Sequence, residues 1–198
     1  MAHRGIVTKA QGGPDGRAVH PPHGHGAPAV KGEARPVRAI VHDQLYFDDL
    51  AVGDRWESPS RTVNDVHFAF FAAMTGDNHP LHYDDEYVKK TRFAGRVAHG
   101  LLVMAMTAVG ASPLTHRLHD SMIAFVEQGC RFLKPVLVGD TVYPEHEVIG
   151  LERKGDRGIV RLAARIRNQR GETVLDGFHV YLIRCRPVAG GQTSGGTA

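Results

Sequence analysis

Val160-Arg161-Leu162-Ala163-Ala164-Arg165-Ile166-Arg167 changes character at every step. A period of two puts Val160, Leu162, Ala164 and Ile166 on one face, and Arg161, Ala163, Arg165 and Arg167 on the other. This is the pattern of a half-buried strand showing its basic side to water or to a ligand. Working outward, further strands are expected over 121–134, 140–152 and 172–186. Lys154-Gly155-Asp156-Arg157-Gly158 and Asn168-Gln169-Arg170-Gly171 supply the connecting turns. Upstream the period is helical. Thr62 with Asp65 has the spacing of a capping box, Val66, Phe70, Ala73 and Met74 follow at helical intervals, and Gly76 ends the helix. Gly100 to Arg117 is the most apolar stretch of the chain, with no charge before Arg117, and suits a buried helix whose regular part Gly110 and Pro113 cut short. Two helices followed by a run of long antiparallel strands predict an α+β domain whose sheet wraps one buried helix. Val52-Gly53-Asp54 recurs as Val138-Gly139-Asp140, which reads as one turn chemistry used twice rather than as a structural repeat.

The 198 residues are 42% hydrophobic and 23% charged, which suits one soluble domain. No run reaches the roughly 18 apolar residues of a membrane span, and the N-terminus lacks the apolar core of a secretory signal, so the cytoplasm is expected. Cys130 and Cys185 are read as reduced core residues. Residues 1–43 hold seven Gly, five Pro and five His and are read as a flexible tail, residues 44–187 as the folded domain, and residues 188–198 as a flexible C-terminal tail. His20, His23 and His25 have no rigid frame or Cys partner, so functional metal binding is not expected there. Residues 1–43 carry six Lys/Arg against three Asp/Glu, whereas the remainder carries eighteen of each. The basic excess is therefore absent from the folded part, which argues against nucleic acid as a partner.

The chemistry concentrates between the helices. Thr75-Gly76-Asp77-Asn78-His79-Pro80-Leu81-His82 sets a carboxylate and an imidazole five residues apart on a punctuated turn, and His99-Gly100-Leu101-Leu102 opens the apolar segment. Taken singly, Asp77 reads as a turn residue and His82 as an ordinary histidine. Asp77, His79, His82 and His99 also contain metal-ligand types, but their spacing fits no standard short motif, and no metal is expected. Lys89, Lys90, Arg92 and Arg96 lie between the two motifs; a solvated charge run is their ordinary meaning, and contact with ligand phosphates the sharper one.

Together these motifs resemble those of the MaoC-like (R)-specific enoyl-CoA hydratases. Phe132-Leu133-Lys134-Pro135-Val136-Leu137-Val138-Gly139-Asp140-Thr141 is similar to the segment entering a late strand of that family, so the likeness spans roughly residues 45–186. The resemblance implies a hot-dog fold, an antiparallel sheet around a long central helix, assembled as a homodimer or a dimer of dimers. It implies reversible hydration of a trans-2-enoyl-CoA to an (R)-3-hydroxyacyl-CoA without metal or cofactor. Asp77 and His82 would activate water, and the Gly100 N–H would support the enolate oxygen. His79, Pro80, His99 and Arg96 would shape the substrate site. Two positions depart from the family: His79 stands where Asn is common, and Ala108, next to Thr107, where a supporting serine is common. The rival readings are a hot-dog acyl-CoA thioesterase and a non-catalytic acyl-CoA-binding partner subunit.

Overall fold

The computed structural model describes residues 43–187. The expected tails at 1–43 (Asp43 apart) and 188–198, and with them His20, His23 and His25, lie outside the described residues. Strands β1 (Arg55–Glu57), β2 (Arg61–Thr62), β3 (Met122–Phe132), β4 (Thr141–Lys154), β5 (Arg157–Asn168) and β6 (Thr173–Arg184) form one antiparallel sheet. Its order is β1-β4-β5-β6-β3, with β2 also on β4. The helices are α1 (Asp65–Thr75), α2 (Asp85–Val88), α3 (Gly100–Ala105) and α4 (Leu114–Arg117), with 3₁₀ turns at Phe47–Asp49, Pro80–His82 and Val109–Ala111.

Strand register follows the alternation of buried residues. Pro144 opposes Ile166, which opposes Leu175, so this row keeps its buried apolar side chains on one face, and the adjacent row His146, Ala164 and Gly177 follows the same register. That face carries the segment from Gly100 to Leu118. Its first part packs Leu102, Val103 and Met106 with Phe68, Phe71, Val142, Ile166 and Leu175. Its last part packs Val109, Leu114 and Leu118 with Val148, Val160, Leu162 and Ile183. On the opposite face the basic stripe of β5 is met by acids of its neighbours. Arg167 pairs with Glu145 at 3.0 Å, and Arg165 with Glu147 at 3.3 Å and Asp176 at 3.1 Å. The repeated Val-Gly-Asp is indeed one turn used twice. Gly53 and Gly139 take φ of 97° and 90°, and the Asp54 and Asp140 carboxylates accept from the N–H three residues back, Ala51 and Leu137, at 2.8 and 2.9 Å.

Three local expectations are corrected. The cap of α1 is Asn64, whose Oδ1 accepts from His67 N, while Thr62 belongs to β2 and meets Thr141. The buried side of α1 is Phe68, Phe71 and Ala72, whereas Val66, Phe70 and Met74 face outward. The helix is apolar almost all round, so spacing alone finds its faces without choosing the inner one. The long central helix is also broken: α3 ends at Ala105. There Thr107 Oγ1 donates to the Met104 carbonyl at 2.7 Å, and its oxygen lies 2.9 Å from His179 Nε2 on β6. Main-chain bonds from Thr107 to Met104 and from Ala108 to Ala105 tighten the chain into i→i−3 turns at this point. Thr107, His146, His179 and Tyr181 thus form a buried polar knot between the two apolar clusters. His146 Nε2 donates to the Thr107 carbonyl at 2.8 Å, and Tyr181 Oη lies 3.2 Å from His179 Nδ1.

Candidate active site

The site grows from the end of α1. Gly76 at φ 76° returns its N–H to Ala72 O and stops the helix, and Asp77 follows on an exposed loop with its N–H on Thr75 Oγ1 and its Oδ1 receiving the His79 N–H at 3.4 Å. Pro80 then starts a single 3₁₀ turn. His79 caps that turn, its Nδ1 accepting from Leu81 N at 3.2 Å, which is how this side chain orders the loop in place of an amide. The turn drops His82 into the interior, where its Nδ1 stands 2.6 Å from Val97 O. A carbonyl only accepts, so Nδ1 carries the proton and the Nε2 of a neutral His82 is left as an acceptor.

His99, the residue before α3, is 2% exposed and lies face to face with His82, ring centroids 3.8 Å apart and planes 25° from parallel. Burial pushes His99 below the ordinary imidazole range, and neighbouring His82 adds to this against the opposing bond to Asp77 O, so His99 is neutral near pH 7. One ligating atom each of Asp77, His82 and His99 lies within 4.8 Å of the other two. Two stacked rings cannot both aim an in-plane lone pair at one cation, so the arrangement suits proton chemistry better than chelation.

His82 also lines a cavity of about 410 Å³, bounded by Leu81, Gly100, Phe132 and Val136, with Arg92 and Lys134 among its lining and neither Asp77 nor His99 part of it. Gly100 is the first residue of α3, a position with no intrahelical partner for its N–H, and that N–H meets no acceptor among the described residues. A Cβ on Gly100 would come within 3.2 Å of the Phe132 ring, so the glycine makes room for this aromatic wall as well as for a ligand.

Of the residues singled out in the sequence, Asp77, His79, Pro80, His82 and His99 are brought together, and Gly100 borders the adjoining cavity. Arg96 is not part of that lining. Its Nε and Nη1 bind Asp85 and Asp65 at 2.9 and 2.5 Å, so it clamps α2 to α1, while the cations that line the cavity are Arg92 and Lys134. Ala108 lies past the end of α3, and adjacent Thr107 turns to the sheet rather than to Asp77 or His82. Sequence reasoning missed Tyr83, Phe132 and Lys134 as parts of the site. Tyr83 directly follows His82, and the other two lie in the Phe132–Thr141 segment, so the signal for them is adjacency to the motifs.

A sheet packed on one apolar helical segment is the hot-dog arrangement. Residues 50–167 match the family described as MaoC like domain, and the chain belongs to that family. It is 32% identical over 147 residues to the (R)-specific enoyl-CoA hydratase of Rhodospirillum rubrum, covering 74% of this chain and 95% of that one. Among solved structures it superposes with a TM-score of 0.68 on the monoamine oxidase regulatory protein of Archaeoglobus fulgius, at 36% identity over 74% of this chain and 98% of that one. A Mycobacterium tuberculosis protein described as having a double hotdog fold aligns at 27% identity with a TM-score of 0.62, over 73% of this chain and 45% of that one.

Proposed function

We propose that the chain is a cytoplasmic hydro-lyase that adds water reversibly to a trans-2-enoyl-CoA, giving an (R)-3-hydroxyacyl-CoA. The observation that carries this reading is the approach of the Asp77 carboxylate to the His82 ring, with His82 and Gly100 both lining one cavity. Hydration needs a water delivered to C3, a proton delivered to C2, and a donor for the thioester oxygen as enolate charge collects there. Asp77 and His82 hold the water; one takes its proton and the other returns a proton to C2. The Val97 carbonyl keeps the imidazole in the tautomer that faces its Nε2 to the water. The Gly100 N–H, without a partner of its own, meets the thioester oxygen, and Arg92 and Lys134 offer positive charge to the CoA phosphates. No metal or redox group takes part in this scheme.

The active form in this reading is a homodimer, or a dimer of such dimers. Strand β3 is an 11-residue edge strand whose Phe125 and Val126 are exposed, and α1 shows Val66, Phe70 and Met74 to solvent. A long apolar edge with an apolar helix face is a surface that a second copy covers. Sedimentation of the purified chain tests this, since a monomer at micromolar concentration contradicts it.

The catalytic test follows the loss of conjugated enoyl-thioester absorbance with crotonyl-CoA, with chiral analysis of the product. Asp77→Asn and His82→Ala should each lower kcat by about 10²- to 10⁴-fold. Full turnover in both variants refutes the assignment, and release of free thiol without hydration would mark a thioesterase.

A further inference from the structure

We infer that Tyr83 is a positioning residue that locks the Asp77 loop and His99 against α1, and through them sets the separation of Asp77 and His82. The inference rests on the Asp77/His82 reading above and deepens it. The Tyr83 hydroxyl lies 3.1 Å from Phe68 O in α1, 3.3 Å from Asp77 O, and 2.9 Å from His99 Nε2. One atom therefore joins α1, the Asp77 loop and the residue before α3, which also meet where His99 Nε2 approaches Asp77 O and where the His99 ring packs on Phe68 and Phe71.

A proton inventory shows what the hydroxyl decides. His99 Nε2 also lies 3.2 Å from Asp77 O, while His99 Nδ1 is buried without a partner. If Nδ1 carried the ring proton, a buried donor would be left unsatisfied, which costs more than leaving a lone pair bare. The proton therefore sits on Nε2, shared between Asp77 O and the Tyr83 oxygen, and the single Tyr83 proton is donated to Phe68 O. Burial, and secondarily the Asp77 carboxylate, raise the Tyr83 phenol, so it remains protonated wherever the enzyme would work. His99 held in this way presents its face to His82, whose other restraint is Val97 O. The hydroxyl thus anchors to α1 the ring that holds Asp77 O through its Nε2–H and presents the stacking surface to His82. Its ring packs at the margin of the core, with centroids 5.7 Å from His99 and 6.0 Å from His82.

Tyr83→Phe keeps the ring and deletes the three-way contact. With crotonyl-CoA the expected result is a kcat about 10- to 100-fold lower, the size of loss that misplacement by a fraction of an ångström produces, with KM within about twofold of the parent. Histidine ¹⁵N shifts should show His99 as the Nε2–H tautomer in both proteins, with the Nε2–H signal displaced in the variant because the Tyr83 oxygen no longer shares that proton. A parental kcat in Tyr83→Phe overturns the inference. So does a lost kcat accompanied by an unaltered His99 signal, or one that merely tracks a lowered folded fraction. Asp77→Asn and His82→Ala are assayed beside it. If both are fully active, the reading of the pair fails; if both are inactive while Tyr83→Phe is not, only the Tyr83 inference fails.

Discussion

Acidification should destabilise this protein through the buried polar knot before its carboxylates matter. His179 is 2% exposed and its pKa is brought down from 6.5 to about 4, chiefly by burial and then by neighbouring His146, which burial also lowers. The unfolded chain therefore binds a proton on this ring between pH 6.5 and 4 that the folded chain refuses, and stability rises with pH across that window. For His179 alone the linkage gives a loss of about 2 kcal/mol between pH 7 and pH 5, and about 3 kcal/mol by pH 4. His146 adds in the same direction. Glu172 titrates in another window: its carboxyl is held at about 2 by Asn168, Lys134 and Arg170, so its contribution fades only below its ordinary value of 4.5. Urea denaturation at pH 7, 6, 5 and 4 measures the effect. His179→Gln keeps a donor for Thr107 Oγ1 but cannot titrate, and its stability should fall by about 2 kcal/mol less than the parent's between pH 7 and pH 5. Parallel curves for parent and variant over that interval would refute the reasoning, whatever the offset between them.

Other outcomes follow from packing and ion pairing. Gly177→Ala should cost about 3 kcal/mol, because the new Cβ runs into the Gly129 carbonyl and stands 2.7 Å from Cys130 Cβ, on a strand that cannot give way as a side-chain end can; the urea midpoint reads this. Gly100→Ala meets only the half-exposed Phe132 ring, so its midpoint should stay within about 1 kcal/mol of the parent while hydration of crotonyl-CoA slows. Arg96→Ala should lower stability by roughly 0.5–1 kcal/mol, since Asp65 and Asp85 are largely exposed, and should leave KM for crotonyl-CoA within about twofold; a large rise in KM would return Arg96 to the substrate site.

The four long strands were legible: they fall within a few residues of their expected places, β4 and β5 with the alternating burial that a period of two gives, β3 and β6 without it. The elements that failed were those with two admissible answers. Helix α1 carries apolar residues on both sides, and only the sheet beneath it chooses Phe68 and Phe71 over Phe70 and Met74. The run from Gly100 to Arg117 contains nothing but Gly110 and Pro113 to suggest a break, yet it breaks earlier, at Thr107, because a histidine seventy-two residues away offers its ring there.

The same division applies to the candidate site. Local sequence is sufficient to make the bend at Gly76, the turn at Pro80 and the helix start at Gly100, since each depends on a backbone preference of the residue itself. The pairing of Asp77 with His82 came from the family resemblance rather than from either residue alone. Only tertiary structure could decide that His99 stacks on His82, that Tyr83 ties His99 to α1, and that Arg96 is consumed by two carboxylates while Lys134 reaches the cavity. Those contacts join segments brought together by burial of the sheet face, and side-chain partners chosen in that way leave no periodic trace in the chain.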